Sequence, residues 1–281
     1  MTIKTINHSG WLKSLLFIPL LFISEVLSTV IVISLGYDIF NQGSSLNESV
    51  MLIQKSFSLV IVLILIWLFM KYIDKQKFID IGFQTKNRLK DFNYGILIGF
   101  IIMCSGYYIL LFIGEINYVG YSFNLENIFI SIMLFTGVSI FEEVVFRGYV
   151  LKNLLESFNP FVALFISSIF FSLIHGANPN VTILGLSNIF LAGFFLGVSY
   201  VFTKNLWFPI ALHFSWNFFQ SMFGFKVSGL DSYSIIEFKI LENNYINGGE
   251  FGFESSIISL VIISISTILI WKYFKSIEKT S

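Results

Sequence analysis

The sequence predicts an all-α integral membrane protein, a bundle of about eight transmembrane helices. Its 281 residues are 56% hydrophobic, and their mean hydropathy is +0.81. Only 12% are charged, against roughly 25% in an average soluble protein, which excludes a soluble enzyme and a disordered chain. Basic and acidic residues number 17 each, so nothing in the charge favours a nucleic-acid partner. The single cysteine, Cys104, excludes an internal disulfide and a cysteine-based zinc site.

Eight apolar stretches are long enough to cross a bilayer, which takes about 20 mostly apolar residues. They are continuous runs without strict alternation, which is typical of helices and not of a transmembrane barrel. The first stretch is too long for a signal peptide and lacks a small-residue cleavage site, so we expect it to be retained. No change in composition divides the chain, so we expect one membrane domain over residues 1–281. The predicted spans are residues 11–35, 51–73, 92–113, 127–146, 161–177, 183–202, 206–223 and 256–274.

The distribution of lysine and arginine predicts that both termini are cytoplasmic. Basic residues concentrate in the cytoplasmic connections of membrane proteins. With eight spans, 14 of the 17 basic residues fall on the side of the termini, including Arg147 and Lys152 between spans four and five. Only Lys55, Lys226 and Lys239 fall on the other side. The richness in Ile, Lys and Asn suggests a bacterial plasma membrane.

Six ionisable residues are interpreted as intramembrane, where each costs at least ~2.5 kcal/mol on insertion scales. Ionisable residues at such positions usually have a functional role. Five of the six lie between residues 142 and 213, and they include two of the chain's three histidines. The sixth lies alone in the first span, and we expect it to be structural. The six are Glu25, Glu142, Glu143, Arg147, His175 and His213.

The fourth predicted span ends with two adjacent carboxylates and an arginine. Glu143 and Arg147 are four residues apart, so they share a helix face and can form an ion pair. Glu142 is rotated by about 100° from Glu143 and points elsewhere. We therefore expect Arg147 to neutralise Glu143, which leaves Glu142 available as a general base. The alternative is that both carboxylates pair with Arg147 and only stabilise the end of the helix.

Two other spans each carry a histidine with a partner one helical turn away. Phe171 and His175 share a face in the fifth span, and His213 and Asn217 share one in the seventh. A neutral imidazole can bind a metal, transfer a proton or donate to an oxyanion. An asparagine amide can orient a histidine or donate to a carbonyl group. The alternative is that each histidine only hydrogen-bonds a neighbouring helix.

These motifs together resemble the CPBP family, the CAAX-processing and bacteriocin-processing intramembrane proteases that are also called the Abi family. The motifs are Glu-Glu-x-x-x-Arg at 142–147, Phe-x-x-x-His at 171–175 and His-x-x-x-Asn at 213–217. The resemblance covers residues 127–224, which would form the catalytic core. It implies an endopeptidase whose site lies inside the membrane and whose substrate is a membrane-associated peptide or protein.

The resemblance also implies a role for each residue of the motifs. Glu142 would activate the attacking water. His175 and His213 would bind that water, stabilise the oxyanion or hold a divalent metal such as zinc, and the sequence leaves the metal open. Asn217 would complete the oxyanion or ligand set. The residues that would support the site from behind are Glu143, Arg147 and Phe171.

Two other functions stay open beside the protease. The same Glu and His residues could form the path of a proton or metal-ion transporter, although the absence of an internal repeat argues against it. The protein could also bind a peptide without cleaving it, for example in immunity to a bacteriocin. One expectation conflicts with a shared catalytic water: on the predicted boundaries, Glu142 and His175 would be about 15 Å apart in depth.

Overall fold

The structure, a computed structural model, describes residues 9–37 and 48–278 and has the predicted mainly helical fold. Within these residues, seven helices are long and apolar enough to cross a membrane. One small antiparallel sheet joins two strands that follow α3 and α8, an addition to the all-α prediction. Lys4 and Lys279, which contribute to the predicted charge of the termini, lie outside the described residues.

The helices satisfy their own backbone hydrogen bonds, as the interior of a bilayer requires. Short turns connect most of them, so neighbours in sequence run antiparallel. The helices are α1 (Gly10–Ser34), α2 (Glu48–Leu68, continued by the π-helical turn Phe69–Asp74), α3 (Leu89–Phe112), α4 (Leu125–Glu143), α5 (Lys152–Ser157), α6 (Pro160–Ile174), α7 (Ile183–Thr203), α8 (Trp207–Met222) and α9 (Ile257–Glu278). The strands are β1 (Ile116–Tyr121) and β2 (Ile236–Ile240).

Side-chain caps determine where three of the central helices begin. The Asn124 side chain accepts a hydrogen bond from the backbone N–H of Asn127 and caps α4. Asn159 caps α6 in the same way, directly before Pro160, and Thr182 caps α7. Such a cap stabilises a helix by ~1 kcal/mol. The helices that carry or adjoin the first two motifs therefore start at defined residues.

The fourth span is longer than predicted. α4 continues through a π-helical segment, Val144–Leu151, into α5, which ends at Ser157. The predicted position of Arg147 in a cytoplasmic connection is wrong, because its side chain is only 1% exposed inside this continuous helix. The helix can continue past this charge because Glu143, one turn away, neutralises it.

The longer helix brings Glu142 and His175 to the same depth. Glu142 lies 15 residues before Ser157, and His175 lies 15 residues after Pro160, across the short turn between α5 and α6. At ~1.5 Å per residue, both are roughly 20 Å from that turn. The expected separation of about 15 Å in depth is therefore wrong. It followed from ending the fourth span at residue 146.

The seventh predicted span, residues 206–223, forms the 16-residue helix α8, which is largely buried. It crosses α3 closely at two glycines that the sequence singles out by their four-residue spacing. A Cβ atom on Gly95 would lie 2.7 Å from the carbonyl oxygen of Phe208, and one on Gly99 would lie 2.6 Å from Ser215 Oγ. A four-residue spacing of small residues is typical of such close helix packing.

We expect Gly95→Ala to destabilise the protein by about 1–3 kcal/mol, because the added methyl group would force α3 away from the backbone of α8. The matched control is Gly137→Ala in α4, where an added Cβ meets nothing within 4 Å. That control should unfold no earlier than the wild type, because alanine favours a helix over glycine by ~1 kcal/mol. Thermal unfolding in detergent measures both. Equal losses in the two variants would contradict close packing at Gly95.

Candidate active site

A cavity of about 300 Å³ lies within the bundle, and all four residues predicted to be catalytic line it. Its walls come from α1, α2, α4, α6, α7, α8 and α9 and from the segment 227–232 between α8 and β2. Most of the lining side chains are apolar. The residues predicted to be catalytic are Glu142, His175, His213 and Asn217.

Glu142 and the two histidines converge on one point of this cavity. The Oε2 atom of Glu142 lies 3.8 Å from Nε2 of His175 and 3.8 Å from Nε2 of His213. These distances are too long for direct hydrogen bonds. The Oε2 atom is buried and has no hydrogen-bond partner among the described residues. Three polar atoms from α4, from the end of α6 and from α8 therefore face the same small volume.

The predicted ion pair between Glu143 and Arg147 forms behind this point. Arg147 Nη1 donates to Glu143 Oε1 over 2.7 Å, and Arg147 Nη2 donates to the carbonyl oxygen of Gly193 over 3.1 Å. Both side chains are at most 1% exposed. A buried charge is tolerated only when it is paired and hydrogen-bonded. The arginine thus ties α4 to α7 at the level of the cavity.

Both histidines are held by their Nδ1 atoms. His213 Nδ1 lies 2.8 Å from Glu143 Oε1, and His175 Nδ1 lies 2.7 Å from the backbone oxygen of Phe171. A carboxylate and a carbonyl oxygen only accept hydrogen bonds, so each Nδ1 carries the proton. Nε2 of each imidazole therefore faces Glu142.

Phe171 connects the three motifs by ring contacts. Its ring centroid lies 4.4 Å from Arg147 Cζ, 5.0 Å from the His175 ring and 6.1 Å from the His213 ring. A cation over an aromatic face in a desolvated site is stabilised by roughly 2 kcal/mol. Phe171 therefore holds the arginine on one side and limits the movement of both imidazoles on the other.

Asn217 lies one turn after His213 on α8 and is 6% exposed. The four-residue spacing points its amide into the same cavity as the imidazole. The structure therefore brings all seven residues of the three motifs together: five line the cavity, and Glu143 and Arg147 lie behind them. Their catalytic roles stay predictions.

Glu25, which we expect to be structural, forms an ion pair in the cavity wall. Lys55 Nζ lies 3.0 Å from Glu25 Oε2, and Ser58 Oγ donates to Glu25 Oε1 over 2.7 Å. The two charged side chains are 32% and 34% exposed. The pair lies at the side of the cavity formed by α1 and α2.

Two buried polar residues of the lining were not singled out from the sequence. Asn188 is 1% exposed and donates to the backbone oxygens of Glu254 and Ser256. Glu254 is 8% exposed, and its carboxylate accepts the backbone N–H of Ser228. Burial raises the pKa of Glu254, against the Ser228 hydrogen bond, which favours the carboxylate. The feature of the sequence that could have identified Asn188 is its amide side chain within an apolar span. Glu254 looked like one of several loop carboxylates.

The sequence left open whether the site holds a metal ion. The donor atoms that line the site test this possibility. Among the described residues, no group of three or more His, Cys, Asp or Glu side chains is placed to hold one. Catalytic zinc usually has three protein ligands. His175 and His213 supply two, and Glu142 could not be the third while it also serves as the base. If Glu142 is kept free as the base, His175 and His213 alone do not fit a resident zinc ion.

Comparison with known proteins identifies the region that carries the site. Residues 124–219 match a family model described as type II CAAX prenyl endopeptidase, Rce1-like. The match covers about a third of the chain and contains all three motifs. No curated protein and no solved structure matches the chain.

The family match confirms the resemblance that the motifs carry. It lies on the helices whose side chains meet in the cavity, from the start of α4 into the second half of α8. Residues 124–219 are therefore similar to the Rce1-like CAAX endopeptidases, and this similarity supports an intramembrane protease of the CPBP type.

Proposed function

We propose that the protein hydrolyses a peptide bond of a membrane-associated peptide or protein by means of a water molecule that Glu142 activates. The observation that carries the proposal is the convergence of Glu142 Oε2 with Nε2 of His175 and of His213. Groups separated by 3.8 Å are too far apart for direct bonding but can share one water. Amide hydrolysis requires such a water next to a base.

The protonation of this cluster follows from counting hydrogens. Oε2 and two unprotonated Nε2 atoms are three acceptors, whereas one water has only two O–H bonds. All three groups can interact through the water if one imidazole carries a second proton. The cluster is then neutral, since Glu142 and Glu143 balance Arg147 and one imidazolium. Neutrality is favourable because an unbalanced buried charge is costly.

The chemical steps use only groups that line the cavity. Glu142 takes a proton from the water, and the resulting hydroxide adds to the carbonyl carbon of the scissile bond. The negative charge that develops on the carbonyl oxygen is stabilised by the Asn217 amide and by the protonated imidazole. Glu142 then returns its proton to the nitrogen of the leaving amine, and the C–N bond breaks.

The cavity also suits the proposed substrate class. A volume of about 300 Å³ is at the lower end of the range for ligand sites, so it holds a short extended segment and no folded domain. The mostly apolar lining favours hydrophobic side chains next to the scissile bond.

A bacterial plasma membrane remains our proposal for the location. Cytoplasmic termini, a single domain and a catalytic core at residues 127–224 are proposed with it.

We expect Glu142→Gln to lower peptide cleavage by about 10²–10⁴-fold, because the amide keeps the shape of the side chain but cannot take the proton of the water. The measurement is cleavage of a panel of membrane peptides by purified protein in detergent. Glu126→Gln, at an exposed position of the same helix, is the matched control and should cleave like the wild type. Equal cleavage by Glu142→Gln would remove Glu142 as the base. Peptide binding without cleavage by the wild type would favour the non-catalytic alternative.

We expect Glu143→Gln to destabilise the protein by about 3–5 kcal/mol, because it leaves the Arg147 charge buried and unpaired. Glu142→Gln should unfold near the wild-type temperature, because the imidazole that balances Glu142 can lose its second proton, whereas Arg147 stays charged. The measurement is the thermal unfolding temperature of the two variants in detergent.

A double variant separates the structural role of Glu143 from its role in positioning His213. Replacing both members of the ion pair, as Glu143→Leu with Arg147→Met, should recover much of the lost stability, since apolar residues can replace a buried pair. Cleavage should stay low, because His213 Nδ1 then lacks its acceptor. Recovery of full cleavage together with stability would show that Glu143 does not position His213.

We expect cleavage to survive treatment of the purified protein with a strong metal chelator, because the step proceeds through Glu142 and the described residues offer no group of three His, Cys, Asp or Glu ligands. The readout is the rate on the same peptide before and after the treatment. A loss that added zinc restores would contradict a water activated by Glu142 alone and would assign His175 and His213 as ligands.

A further inference from the structure

The two ends of the helix bundle are clearly distinguished by contacts. At one end, which we call the termini face, Lys13 Nζ pairs with Asp74 Oδ1 over 2.6 Å, and Ser157 Oγ accepts the backbone N–H of Trp11. This face also carries the connection between α2 and α3. The opposite end, which we call the far face, carries both strands and the segment 227–256 between α8 and α9.

The catalytic cavity is bounded by the far face and not by the termini face. Its lining includes Asn178 in the turn between α6 and α7, the segment 227–232 and Glu254, all of which belong to the far face. None of its lining residues lies in the connections of the termini face, which are residues 75–88, 158–159 and 204–206. A peptide can therefore reach Glu142 from the far face without displacing a helix end at the termini face.

The side wall gives a second indication of access from the far face. Glu25 and Lys55 lie in this wall and remain about one third exposed. Lys55 is seven residues from the start of α2 on the far face, which is about 10 Å along the helix. Charged side chains within a membrane face a protein interior or a water-filled cavity. Water that enters from the far face would solvate this pair.

The charges of the two faces differ sharply. Eleven of the 15 lysines and arginines among the described residues lie at the termini face, while the far face has only Lys226 and Lys239. Lys55 and Arg147 lie within the bundle. The eleven are Lys13, Lys71, Lys75, Lys77, Lys86, Arg88, Lys90, Lys152, Lys204, Lys272 and Lys275. Because short cytoplasmic connections carry the excess of basic residues, this charge distribution predicts that the termini face is cytoplasmic.

We infer that substrates enter the catalytic cavity from the extracytoplasmic side of the membrane. The inference rests on the proposed function and deepens it. The substrate class would then be an exported peptide, or the outer segment of a membrane protein next to its span. Such a segment can reach Glu142 past the exposed Asp231 in the segment 227–232 or past the Glu25–Lys55 pair.

Labelling of single cysteines tests the orientation. In full-length protein with Cys104→Ser, Glu242→Cys places a thiol on the far face and Lys86→Cys places one on the termini face, both at exposed positions. In intact cells, a membrane-impermeant maleimide should label Glu242→Cys, and it should label Lys86→Cys only after lysis. The reverse pattern would overturn the inference.

Blocking the entrance tests the route of the substrate. In the same background, a bulky maleimide on Asp231→Cys should remove most cleavage of a peptide that the unlabelled variant cleaves in detergent. The same adduct on Glu242→Cys, away from the cavity, should leave cleavage unchanged. Full cleavage by labelled Asp231→Cys would overturn entry at this point.

The two proposals fail in different ways. If the wild type cleaves no peptide in detergent, the proposed function fails while the labelling pattern still determines the orientation. If cleavage is present but Lys86→Cys is labelled in intact cells, only the inference about the extracytoplasmic side fails.

Discussion

The buried contact of Glu143 with both Arg147 and His213 is the constraint on which the rest of the site depends. An arginine can lie inside the bundle only with its charge balanced, and Glu143 provides that balance. The same oxygen of Glu143 receives His213 Nδ1, so the ion pair also orients an imidazole. The helix can therefore run past Arg147, and Glu142 stays unpaired in the cavity.

The local arrangement of the site's side chains was predictable from the sequence because it depends on spacing along single helices. Residues four apart share a face, so the pairing of Glu143 with Arg147 and the separate direction of Glu142 follow from local geometry. The same reasoning placed Asn217 beside His213. The rarity of charges in an apolar chain made these few residues conspicuous.

The boundaries of the fourth span were not predictable in the same way. Hydropathy treats Arg147 as the end of a span, but its neutralisation by Glu143 keeps it inside the helix. The error moved Glu142 away from His175 in depth, although the two lie together in the fold. Asn188 and Glu254 were missed because their burial arises from contacts between α7 and the segment before α9, which no local pattern reveals.

The structure of Glu142→Gln with a bound, uncleaved peptide tests the central claim most directly. The account predicts that the scissile carbonyl carbon lies in the cavity near residue 142, with its reacting partners about 3–3.5 Å apart. It also predicts the carbonyl oxygen within hydrogen-bond distance of Asn217 and of one histidine Nε2. A peptide bound outside the cavity, or His175 and His213 turned away from residue 142, would contradict it.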